Sequence, residues 1–427
     1  MQRVEQTAAA ISPPIEVAPN KIERRLASLA GGLLDGTAFE FQLPDCAPQR
    51  VGQGELAFRL VVRNQQGVSA LSSLDELRIG EAYLNGDLDL EGDLVAAFNL
   101  RTKLSDSHPL AHLWSVYGQR LFFGQVSRDK QWISEHYDSE SDFYLLFLDK
   151  QARCYSHGYF EREDETLEAA TQRKLNTALE ACRMRPGWRV LDIGGGWGAF
   201  TEHAGRRGIQ VTSLTISAES ERYVSELITR AGLPCQVIRE HFLEYRSAEP
   251  YDAIVNLGVT EHLPDYAATL AQYQRLLKPG GRVFLDACAT RTKFSLSSFA
   301  QTHIWPGNTT PLRLDDYLRE VAQTPFELLY LCNDRNSYRL TTKHWAENLD
   351  RCRDEVIKRW GERLYRRFRL YLWGCVYSFS TDDVTAYRLL LELPAVDRTQ
   401  TLRALRRGRV FSSRESLLGR IEDALRR

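Results

Sequence analysis

A glycine-rich turn between an apolar segment and a helical one most constrains how this 427-residue chain can fold. The apolar segment WRVLDIG (188–194) ends in glycine and leads into AFTEHAGRRG (199–208), which has the pattern of a helix closed by glycine. Further strand-like segments lie at 209–217, 235–240, 251–258 and 281–289. Helical segments separate them, and this alternation predicts an α/β fold with a parallel sheet covered on both faces.

The turn itself predicts a cofactor site. Four glycines within residues 194–198 leave bare backbone where a ligand can approach closely. The spacing Gly194-x-Gly196-x-x-Ala199 also fits the dinucleotide fingerprint, so NAD is one candidate.

Two features favour S-adenosylmethionine over NAD. Asp192 lies just ahead of the first glycine, where a carboxylate would repel a pyrophosphate but attract the sulfonium and ammonium of S-adenosylmethionine. The second strand ends in Thr215 and Ser217, and not in a carboxylate for a ribose diol. We therefore expect S-adenosylmethionine at this turn.

Composition excludes several classes of protein. The 55 basic and 56 acidic residues give a formal charge of −1, which argues against a nucleic-acid partner. The sequence contains no run of about 18 apolar residues, so we expect no membrane span. The eight cysteines show neither CxxC pairs nor zinc spacing. These features predict no metal, reduced thiols and a cytoplasmic location.

The chain divides into three predicted parts. Residues 1–20 carry three prolines and no apolar signal core, which predicts a disordered leader. Short apolar runs and turns over 21–125 predict a small α+β domain. The remainder, 126–427, contains the glycine turn and ends in basic helical segments.

Eight segments together resemble one known family. They are HYDSESDFYLLFLD (136–149), CYSHGYF (154–160), VLDIGGGWGAF (190–200), VNLGVTEHLPDY (255–266), LLKPGGRVFL (276–285), THIWPGNTTPL (302–312), SYRLTTKHWAENL (337–349) and IGEAYLNGDLDLEGDL (79–94). They are similar to motifs of the cyclopropane-fatty-acid synthases, the mycolic-acid cyclopropane synthases and the fatty-acid methyltransferases.

The resemblance implies a Rossmann-like class I methyltransferase domain with a mostly parallel seven-stranded sheet and a helical lid, plus the small α+β N-terminal domain. It implies methyl transfer from S-adenosylmethionine to the double bond of an unsaturated acyl chain in a membrane phospholipid. The product would be a methylated or a cyclopropanated chain.

The resemblance and the turn together give the expected cofactor-binding residues. They are Tyr155, Ser156, Asp192, Gly194, Gly196, Trp197, Gly198, Thr215, Ser217 and His241. His241 falls near the position of the family's adenine-binding Asp.

The resemblance also implies four catalytic positions. In the family, a bicarbonate ion held by Cys, Glu, His and Tyr side chains removes the proton. Glu261 and Tyr338 match the Glu and the Tyr, but His157 replaces the Cys and Asp286 replaces the His. A second carboxylate close to Glu261 would disfavour a carbonate anion. We therefore expect bicarbonate binding to be doubtful.

Two hypotheses follow from these replacements. Either His157 or Asp286 acts as the base, or the two side chains form a hydrogen-bonded pair that fills the vacated volume. We also hypothesise methylation without ring closure, because the ion ligands are replaced.

The expected partner is a membrane phospholipid, met by peripheral contact at the inner membrane surface, and the chain could form a homodimer. Arginines at 403–409 and 363–369 could meet anionic headgroups or simply form solvated helix faces. Rival interpretations are a methyltransferase acting on a small soluble metabolite and a catalytically decayed lipid-binding protein.

Overall fold

The computed structural model describes residues 37–106, 141–292, 296–305 and 310–395, and its residues form two compact units. The first unit holds the described residues of 37–106, 296–305 and 342–378. The second holds 141–292, 310–341 and 379–395. The predicted boundary near residue 125 therefore does not describe the whole division, because two later segments belong to the first unit.

The described strands, numbered in chain order, are β1 (Thr37–Gln42), β2 (Gln49–Gly52), β3 (Glu55–Val62), β4 (Leu88–Gly92), β5 (Arg189–Ile193), β6 (Gln210–Thr215), β7 (Gln236–Arg239), β8 (Tyr251–Leu257), β9 (Leu277–Ala289), β10 (Glu327–Asn333) and β11 (Thr385–Glu392). The described α-helices are Gln65–Ser73, Glu76–Asn85, Leu94–Phe98, Ser141–Phe147, Leu167–Ala181, Ala199–Gly205, Ala218–Ala231, Tyr266–Leu276, Ser298–His303, Leu314–Val321, Arg335–Arg351, Arg353–Trp360 and Glu362–Thr381.

The first unit is built on a four-stranded sheet of order β2-β1-β3-β4. Apolar side chains of β1 and β3 are buried, and the Phe39 and Phe58 rings stack with centroids 5.0 Å apart. Helix Glu76–Asn85 begins at Asp75, whose side chain accepts a hydrogen bond from the Arg78 N–H, as an N-cap residue should. This helix belongs to the region in which the sequence analysis described only short apolar runs and turns.

The second unit contains a seven-stranded sheet of order β10-β11-β9-β8-β5-β6-β7. Strands β9, β8, β5, β6 and β7 pair in parallel, whereas β10 and β11 pair antiparallel. The central strands are almost wholly buried, as parallel strands covered by helices are. The predicted mostly parallel seven-stranded α/β sheet is confirmed.

The carboxyl ends of β5, β6, β7 and β8 share one edge of this sheet, since the four strands run in parallel. The glycine turn follows β5, Ser217 follows β6, His241 follows β7 and Glu261 follows β8. Strand order therefore gathers segments that are far apart in sequence.

None of the helices in the described ranges has the length and apolar character needed to cross a membrane. The basic segment 403–409 lies outside the described residues.

Candidate active site

One pocket opens at the carboxyl ends of the four parallel strands. Nine of the ten residues predicted to bind the cofactor line it: Tyr155, Ser156, Asp192, Gly194, Gly196, Trp197, Thr215, Ser217 and His241. The tenth, Gly198, caps the start of helix Ala199–Gly205 with a φ of 76°. The structure therefore brings the predicted residues together, with Gly198 acting in the turn behind them.

The glycine turn has no room for side chains at Gly194, Gly195 and Gly198. Gly194 has a φ of 72°, and a Cβ there would overlap the Val259 side chain. At Gly198 a Cβ would lie 2.7 Å from Leu227 Cδ2. The turn therefore packs closely against the Val259 and Leu227 side chains, and its backbone remains accessible to a ligand.

Asp192 is buried beside the turn and lines the pocket. Its Oδ2 accepts hydrogen bonds from Thr201 Oγ1 at 3.1 Å and Ser213 Oγ at 3.3 Å. Burial raises the pKa of Asp192 to about 6, so the carboxylate is mainly ionised at neutral pH. An anionic group beside an open glycine turn fits a cationic cofactor.

Ser156 connects this pocket to a second group of side chains. It lines the pocket, and its Oγ accepts a hydrogen bond from Lys174 Nζ at 2.5 Å. Lys174 lies on helix Leu167–Ala181 and is 0% exposed. A fully buried ammonium requires a counter-charge.

Asp286 supplies that counter-charge. Its Oδ2 lies 2.9 Å from Lys174 Nζ and accepts a hydrogen bond of 2.9 Å from the Tyr159 hydroxyl. The other oxygen, Oδ1, is buried and meets no hydrogen-bond donor in the described structure. Burial is the largest single influence and lowers the pKa of Lys174, but the charge and hydrogen bond of Asp286, together with Cys154 and Asp334, raise that pKa more, so the net shift is upward.

Glu261 lies in a short 3-10 helix, Thr260–His262, that follows β8. Its Oε1 accepts a hydrogen bond from the Cys288 N–H at 2.6 Å. Its Oε2 is buried and has no hydrogen-bond partner among residues that the structure describes. The pKa of Glu261 is raised to about 7, because burial and, to a smaller extent, the Asp286 charge raise it more than the backbone N–H groups and Lys174 lower it. Such a carboxyl can exchange a proton near neutral pH.

His157 and Tyr338 lie together, but His157 does not form the hypothesised hydrogen-bonded pair with Asp286. The His157 ring stacks on Tyr338 at 4.7 Å, and Tyr338 stacks on Phe379 at 4.5 Å. His157 Nε2 lies 3.4 Å from Asp334 Oδ2, which also lies 3.4 Å from Arg388 Nε. The hypothesis of a His157–Asp286 hydrogen-bonded pair is therefore wrong, because each side chain has another charged partner.

Sequence reasoning missed Lys174, Asp334 and Arg388. For Lys174 a signal existed, because it falls on the apolar face of its helix. That face is formed by Leu167, Ala170, Thr171, Leu175 and Ala178, all buried. A lysine on an apolar face indicates a buried counter-ion. Asp334 and Arg388 gave no comparable signal.

The arginines at 363–369 divide by their partners within the first unit. Arg366 pairs with Asp89 at 2.6 Å and with Glu362 at 2.8 Å, and only 12% of its side chain is exposed. Arg369 pairs with Asp350 at 3.1 Å and bonds the Tyr83 hydroxyl at 3.0 Å. These two arginines stabilise the first unit, so neither the membrane-docking nor the solvated-face interpretation holds for them.

Among the aromatic side chains, Tyr144, Phe147 and Tyr155 form one cluster, with the Tyr144 and Tyr155 centroids 5.0 Å apart. Tyr144 and Phe147 are 0% exposed. Trp305 belongs to the first unit, where its Nε1 donates to the Tyr371 hydroxyl at 3.3 Å.

A parallel sheet with an open glycine turn and an acidic residue at its carboxyl edge is the arrangement expected of an S-adenosylmethionine-dependent methyltransferase. Comparison with known proteins agrees. The Mycolic acid cyclopropane synthetase family matches residues 125–389, and the chain belongs to this family.

Three relatives illustrate the similarity. A probable fatty acid methyltransferase of Pseudomonas putida is 28% identical over 352 residues, which are 79% of this chain and 88% of the relative. The cyclopropane-fatty-acyl-phospholipid synthase of Escherichia coli K12 is 28% identical over 77% of this chain and 86% of its own. The structure of mycolic acid cyclopropane synthase CmaA1, complexed with SAH and CTAB, is 25% identical with a TM-score of 0.57 and covers 62% of this chain and 98% of its own.

The cofactor of this enzyme is S-adenosylmethionine. The related enzyme was solved with SAH, the product form of that cofactor. The observed pocket fits it, because the turn leaves backbone open and Asp192 supplies negative charge.

Proposed function

We propose that this enzyme transfers a methyl group to the double bond of an unsaturated acyl chain carried by a membrane phospholipid. The observation that carries the proposal is the buried Glu261 carboxylate with one oxygen unpaired among the described residues, next to a neutralised Lys174–Asp286 pair. This arrangement supplies one negative charge and one proton acceptor in a site that excludes water.

Methyl transfer to an alkene needs few activating groups. Bound at the glycine turn, S-adenosylmethionine supplies an electrophilic methyl group, and the methyl–sulfur bond breaks with its electron pair left on sulfur. The alkene π pair forms the new carbon–carbon bond, and positive charge develops on the other alkene carbon. The ionised Glu261 stabilises that charge and accepts the proton that the chain then loses.

Which proton leaves decides the product. Loss from the added methyl group closes a cyclopropane ring, and loss from a neighbouring chain carbon gives a methylated alkene. We predict the methylated alkene, because His157 and Asp286 stand where the family holds its ion.

The proposal also includes a protein-borne base in place of bicarbonate. Lys174 and Arg388 are each paired with a carboxylate, Asp286 and Asp334. Neither cation is therefore left to hold a carbonate anion. His157 faces Asp334, and Asp286 faces Lys174, so Glu261 is the better base than either predicted candidate.

The test uses [methyl-¹³C]S-adenosylmethionine with vesicles of a cis-monounsaturated phospholipid, and saturated vesicles serve as the control. We expect label in the unsaturated lipid only, at a vinylic or allylic methyl position in the NMR spectrum. Upfield cyclopropane methylene protons would overturn the predicted product but not the methyl transfer. Absence of label from both lipids would overturn the proposed function.

One observation supports the rival substrate class, a small soluble metabolite. Two buried carboxylate oxygens, Asp286 Oδ1 and Glu261 Oε2, meet no hydrogen-bond donor in the described ranges, and a substrate amine could donate to them. Competition decides between the two: an excess of small amines should leave lipid labelling unchanged if the acyl chain is the substrate.

We further propose peripheral contact with the inner membrane surface through the arginines at 403–409. Binding to anionic liposomes should weaken with salt and be lost when Arg403, Arg406, Arg407 and Arg409 are replaced by glutamine. Unchanged binding by this variant would exclude that segment.

A further inference from the structure

We propose that Lys174 is a positioning residue of the methyl-transfer site. Its ammonium neutralises Asp286 and holds Ser156, and thereby leaves Glu261 as the carboxylate of the site that exchanges a proton. This inference rests on the proposed role of Glu261 and assigns a function to a residue that touches neither the substrate nor the cofactor.

The first support is geometric. Lys174 Nζ reaches Ser156 Oγ at 2.5 Å and Asp286 Oδ2 at 2.9 Å, and both Lys174 and Asp286 are 0% exposed. Ser156 lines the cofactor pocket, and Asp286 lies on β9 opposite Leu257, the last residue of β8. One side chain therefore joins the cofactor pocket to the strand pair that carries the carboxylates.

The second support is the charge inventory. The polar and titratable side chains of this cluster come from several elements. Four of them, Cys154, Ser156, His157 and Tyr159, belong to the segment after helix Ser141–Phe147. The others are Lys174, Glu261, Tyr266, Asp286, Asp334 and Arg388. Lys174 balances Asp286, and Arg388 balances Asp334. Glu261 has no such partner in the described structure, so the charge of the cluster changes with the protonation of Glu261.

The third support is the absence of a simpler role. A buried ion pair is weak evidence for stability, because desolvation offsets the attraction. Helix Leu167–Ala181 is otherwise lined by apolar residues on this face, and leucine or methionine would pack there without a counter-ion. The pair therefore points to an electrostatic function.

The test measures the carboxyl groups directly in the resting enzyme. Asp and Glu side-chain carboxyls are labelled with ¹³C, the signals of Glu261 and Asp286 are assigned with E261Q and D286N, and each is titrated by NMR. In the wild type, we expect Glu261 to titrate with a pKa of about 7. In K174M, the two carboxylates are no longer compensated, and we expect one of the two pKa values to rise by about one unit or more.

The double variant K174M/D286N removes both charges of the pair. In this double variant, we expect Glu261 to titrate with the same pKa as in the wild type. The acidic limb of its pH–kcat profile should then lie at the same pH as in the wild type. If K174M fails to fold, the double variant and D286N still decide, because the proposal requires Glu261 to titrate normally in the double variant. K278M is the matched control, since Lys278 pairs with Asp252 at 2.6 Å on the same sheet but is 43% exposed.

Unchanged carboxyl pKa values in K174M, or a double variant that does not restore Glu261, would overturn the inference. These titrations need no acyl acceptor. Failure of lipid methylation would therefore overturn the proposed function and leave the role of Lys174 to be decided by its own result.

Discussion

The cofactor pocket and the charged cluster behind it are built in opposite ways. The pocket is lined by the glycine turn, by polar side chains such as Asp192, Thr215 and Ser217, and by aromatic ones such as Tyr155 and Trp197. The cluster is made of long charged side chains, Lys174, Asp286, Asp334 and Arg388, that come from distant parts of the chain. A binding surface needs close approach, whereas a proton-transfer site needs charges that compensate one another.

The largest expected effect tests the role of Glu261. E261Q keeps the shape of the side chain and removes the proton acceptor, so kcat for methyl transfer should fall about 10²- to 10⁴-fold. Calorimetry should show nearly unchanged affinity for S-adenosylmethionine. E226Q, on an exposed helix face, is the control and should retain wild-type activity. Full activity of E261Q would remove Glu261 from the mechanism.

The next effect tests the pocket. In G194A, the new Cβ meets Val259 and the backbone has a φ of 72°, which costs about 1–3 kcal/mol. Affinity for S-adenosylmethionine should fall about tenfold or more in calorimetry. G232A is matched, because Gly232 has a φ of 60° but open space around its Cβ. Equal cofactor affinity in both variants would contradict the role of the turn.

A pH effect links the two regions. The base must be ionised, so kcat should fall as the pH drops through the Glu261 pKa of about 7. The acidic limb of the pH–kcat profile should therefore lie near neutrality, well above an ordinary glutamate. A limb near pH 4.5 would mean that the group that titrates is not Glu261.

The same raised pKa of Glu261 also predicts how the free energy of unfolding depends on pH. A buried carboxyl with a raised pKa destabilises the fold above that pKa, and the cost disappears below the ordinary value of 4.5. E261Q should therefore raise the free energy of unfolding by about 1–3 kcal/mol at pH 8 and give no such gain near pH 4.5. Urea unfolding at both pH values checks the sign.

The smallest effect concerns the first unit. Arg366 pairs with Asp89 and Glu362 inside this unit, so R366A should lower its free energy of unfolding by about 1 kcal/mol. The salt dependence of liposome binding should not change. R363A, at an exposed position of the same helix, should affect stability less. A loss of liposome binding in R366A alone would restore the docking interpretation for this residue.

Predictability differs between the two regions for a physical reason. The parallel sheet, the glycine turn and the gathering of Asp192, Thr215 and Ser217 followed from local patterns, because each strand carries its ligand-facing residues at its own carboxyl end, whereas Tyr155 was named only through the family resemblance. The antiparallel strands β10 and β11 were not assigned individually. β10 pairs with β11 across about 50 residues of largely helical chain, and β11 in turn pairs with β9.

The charged cluster could be predicted only in part. Glu261, Tyr338, His157 and Asp286 were named, but the pairing of His157 with Asp334 and of Asp286 with Lys174 was not. Ion pairs between distant elements follow from the packing of those elements and leave no periodic pattern. Lys174 was also missed, but it is the one member of the cluster with a signal in the sequence, since a lysine on an apolar helix face indicates a buried partner.

The most direct test of a protein-borne base is the rate of methyl transfer in CO₂-free buffer, measured before and after bicarbonate is added. The neutralised cluster predicts equal kcat values in both conditions, with Glu261 as the acceptor. A rate that collapses without bicarbonate and recovers when it is added would show that the site holds an external anion, and would contradict the account.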